Sequence, residues 1–236
     1  MSEIILVRHG QASFGADNYD NLSKIGETQA QVTGQHFADI RQPFTAVYCG
    51  HMERQIKTAE SVRMMLLEKG LICPQPIRDA AFNEYDSRVL FESFLPALLK
   101  DEPEQVETLE RLRTDRKAFQ VLFNKIMKHW ITGKYDIDTT PRWQDFKERV
   151  RKGILAIMTQ HGSKQTVLIS TSGGPISVAV QMALELTDDM TMEIAWQIQN
   201  SSITRLKYNN GRIMLSGFND TTHLILKNDP SLLTYR

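Results

Sequence analysis

An α/β fold is predicted: a three-layer sandwich with a mostly parallel central sheet, antiparallel strands at one edge, helices on both faces and an inserted helical cap. Three observations predict it. Ile4-Ile5-Leu6-Val7, Ala46-Val47-Tyr48-Cys49 and Thr166-Val167-Leu168-Ile169-Ser170 are short apolar runs, as expected of strands buried on both faces. The first two run on into loops and amphipathic helical segments, a β-loop-α rhythm that favours parallel pairing. Near the carboxyl end, Asn210-Gly211 between two alternating apolar runs is a hairpin signal, so the sheet is mixed.

Composition agrees. The 236 residues are 41% hydrophobic and 24% charged, which excludes disorder and low-complexity classes and suffices for one sizeable core. The 28 basic and 28 acidic residues cancel, so the chain lacks the basic excess that non-specific nucleic-acid binding needs. Cys49 and Cys73 are too few for a disulfide framework and fit a reducing compartment. MSEIILVRHG does not read as a signal peptide, and no apolar run approaches the ~20 residues of a membrane span. A cytoplasmic location is expected, with no nucleic-acid or membrane partner.

The elements follow in order. Strand one stops at Arg8-His9-Gly10. Ser23 is the expected N-cap of a helix running to about Ile40, and Pro43 ends it. Strand two, residues 46–49, leads through a turn at Gly50-His51-Met52-Glu53 into a helix. That helix carries Ile56, Ala59, Val62 and Leu66 at helical spacing, and Gly70 stops it. Residues 77–82 are expected to form strand three. Residues 88–140 break the rhythm. They are charged and helix-prone, with Leu95, Leu98, Leu99, Leu109, Leu112, Phe119, Leu122 and Ile126 interspersed, and read as a helical insert within a single 1–236 domain. Phe91, Phe94 and Trp130 in it are expected to pack in its core. A further helix places Trp143, Phe146, Val150, Ile154 and Ile157 on one face, and Gly162 stops it. The strand at 166–170 runs into Thr171-Ser172-Gly173-Gly174-Pro175, and Pro175 suits the first turn of the next helix.

Ligands of open α/β sheets bind beyond the carboxyl ends of the strands. Four polar groups fall there: Arg8-His9-Gly10, Arg54, Glu84 and Ser172-Gly173-Gly174. Taken singly, each has an ordinary reading: a strand end, a helix-surface charge, a solvated acid, a helix cap. Their agreement at strand ends points to a site. The parts suit phosphoryl chemistry. Two arginines supply permanently charged planar forks. A Gly-Gly turn opening a helix presents N–H groups to an anion. A neutral imidazole can attack phosphorus and hold the phosphoryl group. A carboxyl group beside a phosphate is pushed toward its protonated form, so Glu84 could give the leaving oxygen its proton. With arginines carrying the charge, neither metal nor cofactor is expected.

These residues resemble the histidine phosphatase superfamily, also called phosphoglycerate mutase-like. Leu6-Val7-Arg8-His9-Gly10 is similar to its opening signature. The segment from Asp20 to Gly34, with Leu22, Ser23, Gly26, Gln29 and Ala30, resembles the helix that follows. Met52-Glu53-Arg54-Gln55 through Thr58-Ala59 resembles the second-arginine motif, Asn83-Glu84 the acid motif, Ser170 to Ile176 the late Gly-Gly motif, and Asn219 to Leu224, with His223, a carboxyl-terminal stretch. The resemblance implies that His9 is the nucleophile and that Arg8 and Arg54 hold phosphoryl oxygens. It implies that Glu84 is general acid and then base, with Ser172 and Gly173 completing the phosphate site. Two departures stand out. Ser172 occupies the place of a second histidine, and a hydroxyl brings a hydrogen bond but no positive charge. The usual loop asparagine has no clear counterpart at Gly15-Ala16, although Asn18 is close by. Losing one preorganised donor to a developing oxyanion typically costs ~10²–10³ in rate. His51, in the turn before Arg54, is a candidate to restore part of the charge, against its reading as a surface turn residue.

The expected function is metal-independent hydrolysis of a small phosphorylated substrate through a phosphohistidine. The alternative is a catalytically weak module that binds phosphate or a phospho-ligand. Mutase activity ranks lower, since it needs tight retention of a phosphorylated product. A serine hydrolase using Ser172, Asp220 and His223 ranks lowest, because Ser170 crowds the turn where such enzymes place glycine. His36 and His161 are expected to be structural or solvated, His223 to serve the fold, and Cys49 to be a buried apolar residue.

Overall fold

A computed structural model describes residues 1–13, 20–111, 116–135, 137, 140–209 and 211–235. Gly15, Ala16 and Asn18, where the loop asparagine is sought, lie outside these, as do Leu112 and the hairpin residue Asn210. The described residues divide into two compact units, Met1–Glu84 with Val150–Arg236, and Tyr85–Arg149.

The larger unit is built on one six-stranded sheet. Its strands are β1 (Ser2–Arg8), β2 (Ala46–Cys49), β3 (Pro76–Arg78), β4 (Thr166–Thr171), β5 (Ile203–Asn209) and β6 (Arg212–Asp220), in spatial order β3-β2-β4-β1-β5-β6. The first four are mutually parallel, whereas β5 runs antiparallel to β1 and β6 to β5. The mixed sheet with an antiparallel edge is the one the sequence predicts. Gly211, at φ +85°, provides the left-handed residue that the β5–β6 turn needs.

Side chains alternate across the strands, which sorts the apolar runs onto two faces. Ile5, Val7, Val47, Cys49 and Leu168 share one buried cluster with Phe37, Ile56, Ala59, Val62 and Leu66. Those partners come from α1 (Lys24–Asp39) and α2 (Glu53–Glu68). Tyr48 stacks edge-on to Phe82, and its hydroxyl lies 2.9 Å from His161 Nε2, which gives that histidine a structural role. Ser23 caps α1, its hydroxyl accepting from Gly26 N at 3.0 Å, as read from the sequence. Helix α7 (Gly173–Leu184) is buried all round from Gly173 to Gln181, which explains its largely apolar sequence. Helices α8 (Asp188–Gln197) and α9 (Thr222–Ile225) also belong to this unit.

One element is shorter than predicted. Strand three spans only Pro76–Arg78, and residues 80–82 form a 3₁₀ turn. The Asp79 carboxylate accepts from Ala81 N at 2.8 Å and so draws the chain out of the sheet.

The smaller unit contains α3 (Ser87–Asp101), α4 (Gln105–Glu110) and α5 (Arg116–Thr132), together with the start of α6 (Trp143–His161). An aromatic cluster orders it. Trp130 meets Trp143 edge-on at 5.2 Å, Tyr85 meets Phe146 at 5.5 Å, and Trp130 Nε1 donates to Pro141 O at 2.7 Å. Phe94 and Trp130 are buried, in keeping with a packing role.

Candidate functional site

The site grows from the carboxyl ends of β1 and β4. Arg8 pairs with Thr171 at the last step of the β1–β4 ladder. His9 is the next residue, and its N–H donates to Thr171 O at 2.8 Å. Its carbonyl accepts from Asn200 Nδ2 at 3.2 Å and Ser201 N at 3.3 Å. The His9 backbone is therefore held by the residues that lead into β5 as well as by β4.

Gly10 fixes the exit of the chain. Its N–H donates to Thr58 Oγ1 at 3.1 Å, while that hydroxyl donates to Arg54 O at 2.8 Å. A Cβ on Gly10 would lie 2.2 Å from Gly26 O, so the turn and α1 approach to a distance only glycine permits. Gln11 N donates to Gln29 Oε1 at 2.7 Å, and Gln29 Nε2 reaches Leu232 O and Thr234 Oγ1 near the carboxyl end. Thr234 Oγ1 in turn donates to Asn200 Oδ1 at 3.0 Å, closing a polar network behind the nucleophile candidate.

Two bonds set the state of His9. Nδ1 lies 2.7 Å from Gly10 O, and Arg54 Nε donates to Nε2 at 3.1 Å. A carbonyl can only accept and a guanidinium N–H can only donate. Nδ1 therefore carries the ring proton and Nε2 presents a lone pair. Burial holds the imidazole well below its ordinary pKa, and the Arg54 and Arg8 guanidiniums push the same way, against the Gly10 carbonyl. The ring is neutral near pH 7.

Arg54 is the second residue of α2 and is buried. Its Nη1 pairs with Asp20 Oδ1 at 2.5 Å, and Asp20 Oδ2 accepts from Glu53 N at 2.8 Å. Met52, at the N-cap, has no side-chain capping bond, so Asp20 supplies that acceptor and a negative charge at the helix start. One carboxylate thus orients the arginine and caps the helix that carries it. Arg8, half-buried, donates from Nη1 to Ile198 O.

Ser172 is the N-cap of α7 and is 1% exposed. Its hydroxyl accepts from Gln55 Nε2 at 2.8 Å. Gly173 opens the helix, and Glu84 Oε2 accepts from Gly174 N at 3.0 Å. Pro175 has no N–H, so Gly173 and Gly174 carry the donors of the α7 entrance.

The structure thus brings His9 against Arg54 and Glu84 onto the helix that Ser172, Gly173 and Gly174 begin. His51 stays outside this network, exposed on the turn, with its backbone N–H donating to Asn83 Oδ1 at 2.6 Å. His223 is bonded to Thr33 Oγ1 at 3.0 Å, so a Ser172–His223–Asp220 triad finds no support. Sequence reasoning passed over Gln55, Asn200 and the capping role of Asp20. Asp20 and Gln55 lie inside motifs already quoted. Asn200 opens the polar run Asn200-Ser201-Ser202 before an apolar strand, the one local hint that it is buried.

The sequence matches the family described as histidine phosphatase superfamily (branch 1) over residues 4–93 and 97–221. Among curated proteins, no sequence matches. Among solved structures, Bacillus stearothermophilus YhfR is similar at TM-score 0.65 and 17% identity, covering 95% of this chain and 100% of that one. A phosphoglycerate mutase from Bacillus anthracis str. Sterne is similar at TM-score 0.65 and 18% identity, covering 97% of each chain. A phosphoserine phosphatase mutant from Entamoeba histolytica, in complex with phosphoserine, is similar at TM-score 0.62 and 20% identity, covering 95% of this chain and 100% of that one. At such identities the structural likeness speaks for the fold. The family match spans most of the chain, and the chain belongs to the histidine phosphatase superfamily.

Proposed function

We propose that this member of the histidine phosphatase superfamily hydrolyses a small phosphate monoester through a phosphohistidine on His9. The observation that carries the reading is the state of His9: a neutral ring whose Nε2 lone pair is held against a guanidinium N–H. That nitrogen is a nucleophile as it stands. The guanidinium hydrogen on it is available to a phosphoryl oxygen once the ester enters, so Arg54 turns from guarding the lone pair to neutralising the transferred group.

In the first step His9 Nε2 forms a bond to phosphorus while the bond to the leaving oxygen breaks. Glu84, protonated, gives that oxygen its proton. In the second step Glu84 takes a proton from water, whose oxygen attacks phosphorus. The N–P bond breaks and inorganic phosphate leaves, with His9 restored. Arg8 and Arg54 neutralise the equatorial oxygens. The Gly173 N–H and the Ser172 hydroxyl donate to them at the positive end of α7. Glu84 reaches the same helix start through Gly174, which keeps the acid close to the group it serves. Two neighbours in fold, a phosphoserine phosphatase mutant from Entamoeba histolytica in complex with phosphoserine and a mycobacterial glucosyl-3-phosphoglycerate phosphatase, accord with a substrate of this class.

Turnover of p-nitrophenyl phosphate by the unmodified protein and by His9→Ala tests this reading. Turnover that His9→Ala abolishes supports it; equal rates in both end it. A second reading, binding without turnover, is favoured by Ser172, which brings no charge to the helix start. It predicts inorganic phosphate binding in a protein that turns over no ester.

A further inference from the structure

Gln55 is 0% exposed and sits immediately after Arg54 on α2. Its carboxamide spans two groups. Nε2 donates to Phe82 O at 3.0 Å and to Ser172 Oγ at 2.8 Å. Phe82 O only accepts, and it also accepts from Thr171 Oγ1 at 2.7 Å. The amide is therefore fixed with its NH₂ toward Phe82, and the second hydrogen of that NH₂ meets Ser172. The backbone is fixed as well, because Ser170 Oγ donates to Gln55 O at 2.8 Å. On the other side, a Cβ on Gly50 would lie 1.9 Å from Gln55 Oε1, so Gly50 leaves the room the amide occupies.

The direction of one proton follows. Ser172 Oγ accepts from Gln55, so its own hydrogen points elsewhere. A capping serine only accepts from helix N–H groups, so the start of α7 has no group to take that hydrogen, and Ser172 makes no cap bond there. Ser172 is one residue past Thr171, whose carbonyl accepts from His9 N. Among the described residues Gln55 is the one hydrogen-bond partner of the Ser172 hydroxyl, so its hydrogen is left for an incoming group.

We propose that Gln55 is a positioning residue that turns the Ser172 hydroxyl into a directed donor for the phosphoryl group. This rests on the phosphoryl reading of the site. The pair carries no charge and does not titrate, so this donor holds its direction across the pH range in which the ester is bound. Arg54 and Gln55, consecutive on one helix turn, set the two sides of the pocket together: one holds His9, the other Ser172.

The test is a double-mutant cycle on Gln55 and Ser172, read on p-nitrophenyl phosphate turnover and on the Kd of inorganic phosphate. Circular dichroism and urea midpoints check that each variant folds. Ser172→Ala and Gln55→Met are each expected to lower kcat by about 10–100-fold, and the double variant to fall no further than Ser172→Ala alone. Gln55→Glu has nearly the same shape but accepts from Ser172 when ionised, which withdraws the donor. Its activity relative to the unmodified protein is expected to recover as the pH is lowered and the new carboxyl donates again. Multiplicative losses in the double variant, or a Gln55→Glu pH profile parallel to that of the unmodified protein, would overturn the proposal while leaving the phosphatase reading intact. If the unmodified protein binds phosphate without turnover, the cycle is read on Kd with the same criteria. Absence of both turnover and phosphate binding would remove the phosphoryl reading and this inference with it.

Discussion

Acidification is expected to destabilise the fold through His223, by an amount the structure lets one work out. His223 lies on α9, with Nε2 3.0 Å from Thr33 Oγ1 and its ring stacked on His36 at 5.3 Å between centroids. Burial pushes its pKa from 6.5 to about 4; the charge of His36 and, more weakly, Lys227 push the same way, while Asp220 and a backbone hydrogen bond oppose them. His36 itself is lowered by burial and Arg205, against Asp220 and Asp39. The folded value lies below the unfolded one, so the unfolded chain takes up the proton first. The stabilisation is complete above the unfolded pKa and is lost as pH falls through the window from 6.5 to about 4. In full this amounts to ~3 kcal/mol, of which ~2 kcal/mol falls between about pH 7 and pH 5. Urea unfolding at both pH values, on the unmodified protein and His223→Gln, measures it. The glutamine keeps a donor for Thr33 and removes the titration. His9, also held low, titrates in both proteins and cancels in the difference. The variant is expected to lose about 2 kcal/mol less than the unmodified protein on acidification. Equal losses in the two would refute the assignment of His223 as a neutral, buried ring.

Three further outcomes follow from the same geometry. Gly26→Ala gains ~1 kcal/mol of helix propensity, but its Cβ would lie 2.1 Å from Gln11 O, so a net loss of ~1–3 kcal/mol is expected by urea midpoint; a gain would contradict the close approach of α1 to the His9 turn. Cys49 and Cys73 are buried, with thiols pushed up to about 11 by burial, so both should resist a thiol-directed disulfide reagent near pH 8 in the native protein and react on unfolding; fast labelling of the native protein would contradict this. Glu84→Gln keeps an acceptor for Gly174 N but cannot give up a proton, so turnover of alkyl phosphates should fall ~10²–10⁴-fold, and more than that of p-nitrophenyl phosphate, whose leaving group needs less help; losses under tenfold on both would remove Glu84 as the acid.

Much of this architecture was legible in the chain, and the reasons are local. Apolar runs such as Ile4 to Val7 announce strands because burial on both faces demands them. Ser23 and Gly162 mark helix ends because capping chemistry acts over three or four residues, and Gly162 adopts φ +55° at the end of α6. Strand three was overread because Asp79 diverts the chain through its own side chain, a competition that apolar patterning does not register. The site divides the same way. His9 follows β1 directly, Arg54 lies in the first turn of the helix after β2, and Glu84 follows the turn after β3, so sequence order finds them. Gln55 and Asn200 act on partners 117 and 191 positions away, Ser172 and His9, so only the folded chain shows what they do. The bond between Asp20 and Arg54 spans 34 positions and is hidden for the same reason. Residues 88–140 were read as an insert from charge and helical pattern alone, and the compact unit built around them has bounds of Tyr85 and Arg149.

The mechanism rests on phosphoryl transfer to His9 Nε2. Rapid acid-free quenching of the protein during turnover of a ³²P-labelled phosphate monoester, followed by peptide mapping, tests it directly. A label is expected on the peptide containing His9, one that survives alkali, is lost in acid and disappears in His9→Ala. Turnover at full rate with no such label, or a label on Ser172 instead, would contradict it.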